Sequence, residues 1–151
     1  MTMSNQRLHF TSLRAENEAH RCATREDNMK QVIGTGGCKC GSIRYEFTAE
    51  PIENQICHCP DCRKAIGAHC VAWVYFPAEN FTITTGEPTF YQSAPHAQRG
   101  FCNHCGTSLI YRSEQSPQRI AITLGSLDDP EAFPPKETCW GEYRLSWASP
   151  I

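Results

Sequence analysis

Apolar and polar positions along this chain alternate with the period of two that a half-buried strand requires. The clearest case is Ile43-Arg44-Tyr45-Glu46-Phe47, which Pro51 ends before a second stretch from Ile52 to Ile56. His69 to Phe76, rich in Val, Trp, Tyr and Phe and stopped by Pro77, predicts another strand. Phe81 to Thr84 and Thr89 to Gln92 predict two short ones, with Gly86-Glu87-Pro88 as the turn between them. Ser108 to Tyr111 follows a Gly-containing turn, and Arg119 to Leu124 puts Ile120, Ile122 and Leu124 on one face. Leu127-Asp128-Asp129-Pro130 is a turn, Pro134-Pro135 is a stiff loop, and the pattern closes with Thr138 to Trp147. Helical spacing is nearly absent: Cys62 to Ile66 predicts one turn, ended by Gly67. Short strands with Gly and Pro between them predict a mostly β, small antiparallel fold with very little helix.

The stretch from Met1 to about Lys30 departs from this pattern. It carries five basic and four acidic residues, little to bury, and at most a weak helical turn between Arg14 and His20. A disordered N-terminal extension over residues 1–30 is expected, with the folded domain at 31–151. Met29 stands just before the first strand-like residues, so a shorter translated form is a second possibility, and Cys22 is given no role.

Composition narrows the function classes. A chain of 151 residues with 40% hydrophobic side chains suits one domain with a real core. Residues 31–151 hold nine basic and twelve acidic side chains, which argues against nucleic acid as a partner. No apolar run approaches the ~20 residues of a membrane span, and no apolar leader precedes the domain. A cytoplasmic protein with reduced thiols is expected. Ten cysteines, clustered as they are here, then point to metal rather than disulfides.

The densest cluster is Cys57-His58-Cys59-Pro60-Asp61-Cys62, spaced C-x-C-x2-C. Packing does not ask for three thiols in six residues, whereas Zn²⁺ takes sulfurs at about 2.3 Å. Two Gly-flanked pairs frame it: Gly36-Gly37-Cys38-Lys39-Cys40-Gly41 and Cys102-Asn103-His104-Cys105-Gly106. Such turns let backbone N–H groups approach sulfur, and Gly tolerates the positive φ they need. Seven thiols serve two zinc ions as four plus three. Cys38, Cys40, Cys102 and Cys105 make a closed structural site that joins distant parts of the chain. Cys57, Cys59 and Cys62 leave a fourth position, and they are the candidate catalytic residues. A fourth protein ligand would close that site instead. The candidates are His58, His69, Cys70, His104 and Cys139, with Cys70 and Cys139 favoured because an extended backbone turns His58 away from its neighbours. Zn²⁺ with three thiolates carries a net charge of about −1 and suits a soft ligand such as a substrate thiolate. Arg63 and Lys64 stand beside the cluster as candidate counter-charges or carboxylate binders, or as two solvated surface charges.

Three stretches in order, Gly37 to Tyr45, Cys57 to Lys64 and Phe101 to Thr107, resemble the glutathione-dependent formaldehyde-activating enzyme family, which includes centromere protein V. The resemblance spans about residues 31–147. It implies a β-tent fold, two zinc ions and the same four-plus-three division. It also implies a carbon–sulfur lyase of the S-(hydroxymethyl)glutathione synthase type, with glutathione and formaldehyde, or a similar thiol and aldehyde, as partners. Where family members often carry a His, this chain reads Thr138-Cys139-Trp140. The alternative from another class is a zinc-stabilised binding or scaffold module without catalysis.

Overall fold

The computed structural model describes residues 31–148. The expected extension over residues 1–30 and the second start at Met29 lie outside the described residues. In chain order the strands are β1 (Gly34–Gly37), β2 (Arg44–Phe47), β3 (Glu53–Cys57), β4 (Val71–Pro77) and β5 (Phe81–Thr85). They continue as β6 (Thr89–Ala94), β7 (Ala97–Phe101), β8 (Ser108–Ser113), β9 (Arg119–Thr123) and β10 (Glu137–Cys139). Among the described residues one α-helix, α1 (Pro60–Ile66), joins β3 to β4. The strands form a 3-stranded sheet in the order β1-β2-β5 and a 7-stranded sheet in the order β10-β3-β4-β9-β8-β7-β6. Among the described residues no helix is long and apolar enough to cross a membrane.

β4 is an interior strand of the larger sheet, between β3 and β9, and both of its faces are covered. That is why it reads as a nearly unbroken apolar run. Successive side chains go to opposite faces. Val74 and Phe76 join one core with Phe47, Leu109 and Ile122, while Val71, Trp73 and Tyr75 join a second with Ala121. In the first core the small sheet packs on the large one. Phe47 stacks on Phe76 with ring centroids 4.1 Å apart, and Phe133 meets Phe47 edge-on at 5.5 Å. Each such ring, fully buried, contributes roughly 1.5–3 kcal/mol. The buried Tyr45 hydroxyl is satisfied by Ser126 Oγ at 2.7 Å.

The other face of the large sheet carries a cross-strand row: Arg99 pairs with Tyr111, Tyr111 with Ala121, and Ala121 with Tyr75. Paired residues project to the same side. Ala121, between two tyrosines, packs in the second core with Cys57, Cys62 and Trp73.

The mostly β fold with very little helix is the one the sequence predicts, with local corrections. α1 begins two residues before the predicted turn, because Pro60 suits the first helical position and Cys59 caps it, its Sγ accepting from Cys62 N–H at 3.2 Å. Gly67 ends it at φ 73°. Gly36 and Gly37 belong to β1 rather than to the turn, since a Cβ on Gly36 would stand 2.3 Å from Tyr45 Oη. β5 and β6 lie in different sheets, so Gly86-Glu87-Pro88 crosses between sheets instead of closing a hairpin. Residues 97–101, which the period-two reading did not single out, form β7. The fold is not wholly antiparallel: β10 pairs parallel to β3, and this puts Cys139 beside Cys57.

Candidate metal centre

The thiols gather in two groups. Cys38, Cys40, Cys102 and Cys105 place their sulfurs within 4.8 Å of one another, and so do Cys57, Cys59 and Cys62. All nine cysteines among the described residues are free.

The four-thiol group is built from two matching turns. Cys38 N–H donates to Ile43 O and Gly41 N–H to Cys38 O, and the second turn repeats this with Cys102 to Thr107 and Gly106 to Cys102. Gly41 and Gly106 sit at φ 79° and 76°, where a side chain would be strained. Neutral donors surround the sulfurs. Ile43 N–H reaches Cys38 Sγ at 3.2 Å, Ser42 Oγ lies 2.9 Å from Cys40 Sγ, and Thr107 Oγ1 lies 3.2 Å from Cys105 Sγ. Burial raises the Cys38 thiol, but the Ile43 amide and neighbouring hydrogen bonds outweigh it and bring it down to about 7. Hydrogen bonds from the Thr107 hydroxyl and amide pull Cys105 to about 5. The Cys40 thiol moves the other way: Ser42 pulls it down, yet Cys38, burial and Cys105 raise it overall.

The three-thiol group has a different shell. Cys57 ends β3, Cys59 caps α1, and Cys62 lies in its first turn. The open side faces a cleft of about 310 Å³ lined by Trp73, Tyr75, Tyr111, Arg99, Cys139 and Trp140 among others. Arg99 Nη2 donates to Asp61 Oδ2 at 2.8 Å and to Cys62 Sγ at 3.4 Å. Cys57 beside it, and then burial, push the Cys62 thiol well up against the pull of Arg99. Trp140, at the cleft mouth, holds a left-handed backbone with φ 55°, unusual for a bulky residue.

Of the other expected residues, only Cys139 stands beside the three sulfurs. Arg63 and Lys64 line a separate surface hollow with His69 and Trp147, so neither is the cation on the cleft; that place belongs to Arg99. Helix α1 turns them outward, whereas register carries Arg99 in from β7. His58 is buried, with Nδ1 lacking a hydrogen-bond partner, and its ring joins neither sulfur group. His104 is exposed, and His69 stacks near Trp147 at 5.6 Å. Cys70 joins neither group. Cys139 lies against Cys57 but stays outside the mutually close three. Sequence reasoning missed Arg99, Trp73, Tyr75 and Tyr111 as cleft residues. A signal was present in Arg99 itself, a charged residue alternating with Ala97 and Phe101 on what becomes the buried side.

A family model described as glutathione-dependent formaldehyde-activating enzyme matches residues 33–143. An uncharacterized lyase of Schizosaccharomyces pombe is 30% identical over 84 residues, which cover 50% of this chain and 55% of that protein. The chain thus matches about half the length of this curated relative. Among solved structures, a Rhodobacter sphaeroides protein determined as a structural genomics target aligns with a TM-score of 0.56 at 20% identity, covering 69% of this chain and 98% of that one. That likeness bears on the fold. With more than two thirds of its length under the family model, and with the three motifs placed as described, the chain belongs to the glutathione-dependent formaldehyde-activating enzyme family.

Proposed function

We propose that this protein is a zinc-dependent carbon–sulfur lyase acting on the adduct of a small thiol with a small aldehyde, glutathione with formaldehyde or a similar pair. The observation that carries this reading is the three-thiol cluster with one side open to a cleft, in a chain of this family. The donor set fits zinc at both places: four mutually close free thiols for a closed site, three for a site that accepts a further ligand. Cys38, Cys40, Cys102 and Cys105 would hold the first ion, and Cys57, Cys59 and Cys62 the second. Zinc in the second site supplies Lewis acidity that favours the thiolate form of a substrate sulfur.

In the condensation a sulfur–carbon bond forms, the carbonyl π bond breaks, and the thiol proton ends on the former carbonyl oxygen. Trp73, Tyr75 and Tyr111 supply an apolar wall that excludes water from the reacting pair. Holding thiol and aldehyde in one cleft gains rate through positioning. The scaffold reading has one observation in its favour: Cys139, in register with Cys57, is the nearest protein thiol that would close the site.

Cobalt placed in the three-thiol site separates the two readings. Glutathione should change the thiolate-to-metal absorption. The protein should raise initial rates of hydroxymethyl adduct formation above an enzyme-free control, and Cys59→Ala should abolish that gain. A spectrum indifferent to glutathione and to other small thiols would overturn the lyase reading and favour the scaffold.

A further inference from the structure

Arg99 is a cation in an unusual place. Its side chain is 3% exposed, while that of its one carboxylate partner, Asp61, is 69% exposed. Its Cζ stands 5.1 Å from the Tyr111 ring centroid and 5.9 Å from that of Trp73. Nε and Nη1 are buried and have no hydrogen-bond partner. Taking a guanidinium out of water costs several kcal/mol unless anions compensate it. A largely solvated carboxylate on one nitrogen compensates only in part. The other group on that nitrogen is the Cys62 sulfur, 3.4 Å from Nη2, which becomes an anion when it ligates a metal.

The charge of the cluster explains such a cation. Three protonated thiols are neutral. Three thiolates around a divalent metal carry −1, and a substrate thiolate joining them takes the centre to −2. Each step becomes more negative, so a fixed buried cation favours each. A role for Arg99 in gripping a substrate carboxylate fits less well, since the two donors without partners are enclosed rather than presented to the cleft.

We propose that Arg99 is the positioning counter-charge of the three-thiolate metal centre, holding Cys62 through Nη2 and setting both metal retention and the capture of an anionic sulfur as the fourth ligand. The second part rests on the lyase reading above; the first does not. Groups of this kind, one bond beyond the ligands, typically change metal affinity 10–100-fold.

The test uses the full chain loaded with both metals. In chelator competition, R99Q should release the more labile metal, that of the three-thiol site, with an affinity 10–100-fold below wild type and leave the tight metal of the four-thiol site unchanged. R99K, which keeps the charge, should recover part of that loss. In the cobalt form, R99Q should weaken 2-mercaptoethanol and mercaptoacetate by similar factors. D61N alters an exposed side chain, so the fold is safe, and removing its negative charge should tighten thiol capture a few-fold. Wild-type metal affinity in R99Q, or R99K no better than R99Q, would overturn the proposal. So would a loss confined to mercaptoacetate, which would mean that Arg99 grips the carboxylate tail, or weaker thiol capture in D61N. If wild-type cobalt protein ignores both thiols, the lyase reading fails, while the metal affinities still decide the role of Arg99.

Discussion

Cys38, Cys40, Cys102 and Cys105 are surrounded by amides and hydroxyls, whereas Cys57, Cys59 and Cys62 have a buried guanidinium, a carboxylate and a wall of aromatic rings beside them. The two groups also belong to opposite faces of the larger sheet. Cys38 and Cys102 pack into the core with Val74 and Phe76, and Cys57 and Cys62 into the core with Trp73 and Tyr75. In the first group Cys38 and Cys102 are buried in the core, while Cys40 and Cys105 reach the surface where the two turns meet. The second group lines a cleft together with Trp73, Tyr75, Tyr111 and Arg99, which gives a ligand a way to its sulfurs. On the proposed reading the same amino acid serves folding in one place and chemistry in the other, and the difference lies in what surrounds it.

The largest effect that would break this comparison concerns the ligands themselves. Cys102→Ser should remove the tight metal and unfold the domain, because a structural zinc contributes on the order of 10 kcal/mol of apparent binding energy to folding. Cys62→Ser should keep the circular-dichroism melt of a folded protein and lose one metal of two. A wild-type protein holding one zinc would end the two-centre division.

Acid separates the two centres next. Protons compete with metal for each thiolate, so a thiol held low keeps its metal to lower pH, and a thiol pushed up surrenders it sooner. Cys105 at about 5 and Cys38 at about 7 stand against Cys62, which Cys57 and burial push well up. As pH falls, the metal at Cys57, Cys59 and Cys62 should therefore leave first, with the other following at lower pH. A zinc-indicator titration with fold monitored in parallel checks this, and release in the reverse order would refute it.

The smallest effect is a backbone one. Gly106, at φ 76° with open space around its Cα, meets no clash on gaining a methyl group, so only the left-handed conformation is penalised. Gly106→Ala should cost roughly 1–2 kcal/mol and lower Tm by a few degrees, with the labile metal unaffected. A change in labile-metal affinity would mean that the two centres are coupled through the sheet.

The two thiol groups, most of the strands and the position of the helix were legible in the amino-acid sequence because their causes are local. Period-two patterning needs only neighbouring residues, C-x-C-x2-C closes a ligand arc within one turn, and Gly41, Gly67 and Gly106 mark positive φ where they stand. Tertiary structure alone decided which face each cluster serves and which charge accompanies it. Arg63 and Lys64, next to Cys62 in sequence, point to another hollow, whereas Arg99, 37 positions from Cys62, lies against its sulfur. The physical reason is register. The row from Arg99 through Tyr111 and Ala121 to Tyr75 exists because four strands pair at fixed offsets, and a slip of one residue would turn every member of that row to the other side.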